Sequence, residues 1–297
     1  MAPGNEKYVL INFFIGTLEK AFSAYSKEYK NCIKKFSDEP VHDIRVSMRR
    51  FISLLKLINS FFPNEYILQL KDILKNRLKS LSSLRDTQVH IEKMKTAIHE
   101  FPVLYTFYNN LMKTELELIE RLKSELSDFN IKELEGLVLF IKMELKKTIK
   151  ETEISVNDIL KTAKQSFMRV LDLYEEANIN DLSTVHEVRL AFKKYRYLME
   201  LIQPLSPDVK FNFAGMKDFQ NILGKIQDNA ALLNNLTIFI ESQVEIPAEA
   251  YEAAISEIKI NQMNLYLEEF FAFKDKLLTL WDDINFHYDN VKPKSPV

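Results

Sequence analysis

Apolar residues recur at steps of three and four along almost the whole chain, the spacing of the buried face of an α-helix. Leu10, Phe14, Leu18 and Phe22 begin this pattern near the N-terminus. Proline, or a cluster of Asn, Asp and Ser, interrupts it at residues 37–40, 63, 102, 178–181, 204–207 and 247. The pattern therefore predicts long helices with short breaks, including one uninterrupted helix over about 105–150 and a weak stretch at 150–156.

The composition agrees with an all-helical chain. The 297 residues include 5 glycines and 9 prolines, which is few for β-sandwiches, barrels or glycine-loop nucleotide folds. The hydrophobic fraction of 46% and the charged fraction of 28% are typical of a soluble globular protein. A formal net charge of −2 argues against a general coat for nucleic acid, although a sum conceals local patches.

The cysteine content and the hydropathy restrict the setting of the protein. Cys32 is the sole cysteine, which excludes an internal disulfide and a multi-cysteine zinc site. No apolar run approaches the roughly 18 to 20 residues of a membrane span. The first residues lack the basic and apolar regions of a signal peptide. We therefore expect a cytoplasmic protein that has no membrane association.

An internal repeat is the most informative feature of the chain. The segment VHDIRVSMRR at 41–50 reappears 144 residues later as VHEVRLAFKK at 185–194. A second segment, LSSLRD at 81–86, aligns with LGKIQD at 223–228 at an offset of 142. Two matched segments in the same order predict a duplicated unit. We expect an all-α fold of two pseudo-symmetric four-helix bundles, formed by residues 1–150 and 151–297.

The repeated segments predict helices with one apolar and one cationic face. At about 100° per residue, Ile44, Phe51, Leu55 and Ile58 lie opposite His42. The cationic face of the first helix carries His42, Arg45, Arg49, Arg50 and Lys56. The cationic face of the second carries His186, Arg189, Lys193, Lys194, Arg196 and Tyr197, and Glu200 takes the place that Lys56 has in the first.

Two such faces favour an anionic ligand over an ordinary solvated surface. Like charges at helical spacing repel by a few tenths of a kcal/mol per pair, and solvated faces usually mix signs. Guanidinium groups match phosphate oxygens well, and arginines concentrate in these two segments. We place both histidines in the first turn of their helices, with a capping box at 184–187, where backbone N–H groups also favour an anion.

The second pair of segments is expected to support the first. Asp86 and Asp228 are predicted to hold an arginine or histidine of the cationic faces in place. Lys71, Lys75 and Lys79, spaced by four, predict a basic ridge that leads to Arg85. An equally good interpretation of that ridge is a solvated helix surface. His90 and His99 have no comparable context, and we interpret them as packed residues.

These residues resemble the CHAD family, the conserved-histidine α-helical domain. The resemblance rests on the His–Arg–paired-cation segment, on the Arg-Tyr pair at 196–197, on Leu84-Arg-Asp86 and on the segment from Leu223 to Asp228. It implies two four-helix bundles whose basic helices line a central channel or groove, binding of inorganic polyphosphate, and association with polyphosphate granules. Ile52 and Gln227 depart from the family pattern, where basic residues are usual.

The leading hypothesis is a non-catalytic binder of inorganic polyphosphate without cofactor or metal. The predicted ligand-binding residues are His42, Arg45, Arg49, Arg50, Lys56, Lys75, Lys79, Arg85, His186, Arg189, Lys193, Lys194, Arg196 and Tyr197. One alternative is a phosphohydrolase or phosphohistidine-forming enzyme that uses His42 or His186. The sequence shows neither the carboxylate cluster for Mg²⁺ nor the nucleophile–base pair that such an enzyme would need. Another alternative is a nucleic-acid backbone binder, which lacks a run of stacking aromatic residues.

Overall fold

A computed structural model describes residues 3–127, 131–205, 211–243 and 246–282. Within these ranges the regular structure is helical, apart from an isolated bridge between Asn178 and Asp181. The first five helices are α1 (Pro3–Lys34), α2 (Asp38–Phe61), α3 (Glu65–Glu100), α4 (Tyr105–Ser127) and α5 (Ile131–Glu151). The others are α6 (Val156–Glu175), α7 (Leu182–Ile202), α8 (Phe213–Ser242), α9 (Glu252–Ser256), α10 (Asn264–Ala272) and α11 (Lys274–Asp282), with a π-helical turn at Glu257–Met263. No helix among the described residues is long and apolar enough to cross a membrane.

The helix predicted over 105–150 is two helices, α4 and α5. They flank residues 128–130, which lie outside the described residues, and two of these, Asp128 and Asn130, are weak helix formers. The described part of the first half consequently holds five helices longer than one turn, where the sequence predicted four. The predicted break at Pro207 and the segment 283–297 of the predicted second half lie outside the described residues.

The helix α7 begins about one turn before the predicted start, whereas α2 begins at Asp38, close to the break predicted at 37–40. Asp181 caps α7, since its carboxylate accepts a hydrogen bond from the backbone N–H of Ser183 at 3.0 Å. The capping box predicted at 184–187 therefore does not form, because Thr184 lies inside the helix. His42 and His186 are each the fifth residue of their helices. The free N–H groups of the first turn belong to earlier residues.

One connected apolar core joins the two halves of the chain. It extends from Leu10 in α1 to Leu280 in α11. The predicted apolar face of α2 lies in this core: Ile44, Phe51, Leu55 and Ile58 are all at most 2% exposed. The helices α2 and α7 pack against each other, as do α3 and α8. A smaller core beside the first is formed by the end of α3, the start of α4, and α8 and α9. The cationic faces of α2 and α7 are thereby fixed side by side.

We expect the core face of α2 to dominate the stability of the fold. Leu55 is fully buried, so Leu55→Ala should lower the free energy of unfolding by about 2–5 kcal/mol. Leu190 on α7 is 53% exposed, and Leu190→Ala should change the same quantity by less than about 0.5 kcal/mol. Urea denaturation followed by circular dichroism measures both. Equal effects of the two substitutions would show that α2 is not packed as described.

Candidate functional site, a basic cleft

The cationic residues of α2 and α7 line two adjoining cavities, of about 390 and 220 Å³. Both cavities are bordered by Arg45, Arg49, Asp86, Arg189 and Asp228, so they form one feature, which we call the basic cleft. α3 and α8 supply its other walls. Its polar lining consists of His42, Arg45, Arg49, Arg50, Arg85, Asp86, His90, His186, Arg189, Lys193, Arg196, Tyr197, Lys217, Gln220, Asn221, Gln227 and Asp228.

Most of the ligand-binding residues predicted from the sequence border this cleft. The structure brings together His42, Arg45, Arg49, Arg50, Arg85, His186, Arg189, Lys193, Arg196 and Tyr197. Eight Lys and Arg residues line the larger cavity against two Asp residues. The cleft is therefore positively charged, although the net charge of the whole chain is −2.

Lys79 lies elsewhere. It borders a separate cavity with Arg121 and Glu125, between α3 and α4. The predicted ridge was expected to continue from Lys79 to Arg85, but six residues turn a helix through about 600°. Arg85 consequently faces a direction about 120° away from Lys79. Only Arg85 reaches the cleft.

Lys56, Lys75 and Lys194 also lie outside the lining of the cleft, on an exposed surface. They are near one another and near Lys71. Burial of its stem, followed by the charges of Lys194, Lys75 and Lys71, lowers the pKa of Lys56. We call these four residues the lysine cluster. Asp72 pairs with Lys75 at 3.5 Å, across one turn of α3.

Arg45 is anchored to the neighbouring helix. It is 6% exposed, and its Nη1 donates to the carbonyl of Leu78 and to Ser82 Oγ, each at 3.0 Å. Burial lowers the pKa of Arg45 to about 10, so the guanidinium remains charged at neutral pH. Arg45 therefore borders the cleft and also joins α2 to α3.

The other cations of the cleft divide into paired and unpaired groups. Glu200 accepts from Arg50 Nε at 3.0 Å and from Arg196 Nη2 at 2.9 Å, and Arg85 pairs with Asp38. Of these residues, Arg50, Arg85 and Arg196 border the larger cavity.

In contrast, no acidic oxygen among the described residues lies within ion-pairing distance of Arg49, Arg189 or Lys193. The Nε atoms of Arg189 and Arg196 are buried, and neither has a hydrogen-bond partner within the same part of the chain. Buried donors normally have an acceptor. The cleft therefore presents more donors than the described residues satisfy.

Asp86 and Asp228 place two carboxyl groups among these cations. Asp228 interacts electrostatically with Arg189, Lys193 and Lys93. Burial raises the pKa of Asp86, Arg45 opposes that rise, and Asp228 adds to it. Neither carboxylate makes an ion pair or a hydrogen bond within the described residues. Their predicted role in holding an arginine or histidine stays a prediction.

Three histidines border the cleft, in different surroundings. His186 Nδ1 donates to Gln227 Oε1, so a residue that departs from the family pattern positions this imidazole. His42 is exposed, yet partial desolvation, followed by the charge of Arg85, lowers its pKa below 6.5. Burial and Lys93 lower the pKa of His90 to about 4, and His90 Nδ1 accepts from Asn235 Nδ2 at 3.2 Å. His90 is therefore neutral at pH 7.

Sequence reasoning missed part of the lining. His90 was interpreted as a packed residue, and it is buried as expected, but it also borders the smaller cavity. Its position four residues after Asp86 places both on one face of α3, which was an available signal. Lys217, Gln220 and Asn221 come from α8. These three residues reach the cleft lining only because α8 packs against α7, and that packing was not predictable from the sequence of one helix.

Comparison with known proteins identifies the family and agrees with the fold. A profile of the CHAD domain matches residues 16–237, most of the chain. The chain belongs to the CHAD family. The crystal structure of the CHAD domain from the plant Ricinus communis is similar, with a TM-score of 0.67 and 17% identity over 94% of this chain and 92% of that one. PptA from Streptomyces chartreusis is also similar, with a TM-score of 0.62 and 14% identity over 92% of this chain and 99% of that one. At these identities the likeness concerns the fold, and no protein with a curated description matches the sequence.

Lys193 is the most perturbed cation of the CHAD cleft. Burial, followed by the charges of Arg189 and Arg49, lowers its pKa from 10.5 to about 7, and Asp228 opposes this shift. Because this pKa lies below that of an unfolded lysine, the unfolded chain binds more protons between pH 7 and 10.5. The contribution of Lys193 therefore favours the folded state increasingly as the pH rises through that range. In the described residues no three His, Cys, Asp or Glu side chains gather as a metal site.

We expect Lys193 to titrate near neutral pH in the ligand-free protein. With ¹³C-labelled lysine, its ε-carbon NMR signal should show a midpoint near pH 7. Lys193→Met should remove that signal, which assigns it. Arg189→Met should raise the midpoint, because it removes the first of the neighbouring cations that depress it. A midpoint near 10.5 in the wild type would contradict the described surroundings of Lys193.

Proposed function

We propose that this CHAD protein binds inorganic polyphosphate in the basic cleft and does not alter it chemically. The observation that carries the proposal is the gathering of Arg49, Arg189 and Lys193 without an ion pair among the described residues. Cations brought together in this way repel one another and stay poorly satisfied until an anion arrives. The buried, unpartnered N–H groups of Arg189 and Arg196 support the same conclusion, because phosphate oxygens are strong acceptors.

The shape of the cleft favours a chain of phosphates over a single ion. Two adjoining cavities extend from His186 and Gln227 to Arg50 and Lys217, so several phosphate units contact cations at the same time. Polyphosphate carries a charge on every unit and requires no recognition of bases. Polyphosphate binding is also a known role of the CHAD family. We propose association with polyphosphate granules on the same grounds.

The cleft offers less to nucleic acids. Stacking on exposed aromatic rings is the usual source of sequence-tolerant binding to single strands. Tyr197, the aromatic residue of the cleft lining, is 7% exposed. Its ring is therefore unavailable as a platform for a base.

Substitution of two unpaired cations should weaken polyphosphate binding. We expect Arg49→Ala/Lys193→Ala to lower the affinity at least about tenfold, since each charge-assisted contact contributes about 1.5–3 kcal/mol. The affinity of the wild type should also fall steeply with salt, by the counterion release known for nucleic acids. Fluorescence anisotropy with end-labelled polyphosphate at several salt concentrations measures both quantities.

A matched control removes the same residue types elsewhere. Arg169 and Lys161 are exposed on α6 and lie outside the cleft lining, so Arg169→Ala/Lys161→Ala should retain nearly wild-type affinity. Equal affinities of the two double variants would contradict the site. Displacement of polyphosphate by duplex DNA at equal phosphate concentration would favour a nucleic-acid binder instead.

The absence of chemistry is tested separately. Purified protein incubated with Mg²⁺ and either polyphosphate or a nucleoside triphosphate should release no phosphate above the buffer control in a malachite-green assay. It should also incorporate no phosphate that survives denaturation. Phosphate release or phosphate labelling of the protein would support an enzyme if it disappears when His42 or His186 is substituted.

A further inference from the structure

Glu200 pairs with two arginines that border the basic cleft. Its two carboxylate oxygens accept from Arg50 Nε on α2 at 3.0 Å and from Arg196 Nη2 on its own helix at 2.9 Å. The side chain of Glu200 is 22% exposed, and that of Arg196 is 16% exposed. Two guanidinium groups around one carboxylate would also suit a phosphate, because guanidinium groups match the oxygens of both anions.

Two equivalent pairs of positions in the repeat differ in charge where α2 contacts α7. Arg50 and Lys194 lie 144 residues apart, and so do Lys56 and Glu200. Arg50 meets Glu200 as an ion pair, whereas Lys194 meets Lys56 as a like charge. The pair Arg50–Glu200 is thus neutral as a whole, whereas Lys56 and Lys194 belong to the positively charged lysine cluster.

We infer that Glu200 is a specificity-determining residue that competes with the ligand for Arg50 and Arg196. This inference rests on the proposed function. While Glu200 is in place, an anionic chain engages the unpaired cations Arg49, Arg189 and Lys193. It gains Arg50 and Arg196 only if it displaces a carboxylate that is tethered beside them. Glu200 therefore lowers the affinity most for chains of low charge density, because each of their phosphates contributes less free energy to displacing the carboxylate.

Removal of the charge should open an additional anion position. We expect Glu200→Gln to raise the affinity for long polyphosphate by about threefold to tenfold, since two charge-assisted contacts become available. The slope of log affinity against log salt should steepen by as much as about 1.4, given about 0.7 for each further phosphate neutralised. Titration of end-labelled polyphosphate at four salt concentrations measures both.

Glu175→Gln is the matched control. It removes the same charge and breaks an ion pair of the same kind, with Lys274 at 3.0 Å, outside the cleft lining. A general electrostatic effect would raise the affinity of both variants equally, and that result would overturn the inference. Circular dichroism and thermal denaturation establish that each variant is folded.

A cycle with Arg50 tests competition directly. In the wild type Arg50→Gln should lower the affinity less than it does in the Glu200→Gln background, because Glu200 already pairs with that guanidinium. In the Glu200→Gln background the same substitution should lower the affinity by about threefold or more. A loss of equal size in both backgrounds would overturn the inference, as would a Glu200→Gln variant that binds more weakly than the wild type. In the latter case Glu200 would serve to position Arg50 and Arg196.

Failure of this inference and failure of the proposed function differ in outcome. If wild-type protein binds no polyphosphate at low salt, the proposed function fails, and the competition inference fails with it. If the wild type binds, Arg49→Ala/Lys193→Ala weakens binding, and Glu200→Gln changes neither affinity nor slope, only the inference fails.

Discussion

Burial of the apolar faces of α2 and α7 holds together two cationic faces that repel each other. Phe51, Leu55 and Phe192 are fully buried in the shared core, and burial of each such side chain contributes about 1.5–3 kcal/mol. Repulsion between neighbouring like charges on a helix costs a few tenths of a kcal/mol per pair. The apolar packing therefore outweighs the repulsion. The cleft and its unpaired donors follow from this imbalance, and the depressed pKa of Lys193 follows first from its burial and then from the charges of Arg189 and Arg49.

The sequence allowed prediction of features that depend on a single helix. The opposite faces of α2 and α7 follow from 100° per residue, so Ile44 lies in the core and Arg49 borders the cleft. Features that depend on the distance between helices were not predictable in this way. The pairing of Arg50 with Glu200 requires the crossing of α2 and α7, and Lys217 enters only because α8 packs beside them. The division between α4 and α5 was missed because no proline or glycine marks it.

Acidic residues neutralise some cations of the cleft and leave others without an ion pair. Glu200 and Asp38 neutralise arginines of the lining, whereas Arg49, Arg189 and Lys193 stay without such a partner among the described residues. Asp86 and Asp228 border the same cavities without forming ion pairs with any of these cations. The positive charge of the cleft therefore remains mainly with its unpaired cations. A net charge of −2 is compatible with this arrangement, because the excess of cations is confined to one place.

The continuous core also determines which partner must adapt when a polyanion associates. Because apolar residues from Leu10 to Leu280 belong to one connected core, the walls of the cleft are set when the chain folds, and Arg45 is already tied to α3. Under the proposed function, a polyphosphate chain that is flexible in solution would follow walls that are already in place. The loss of conformational freedom on association would then fall mainly on the phosphate chain, and the protein would enter the complex preorganised.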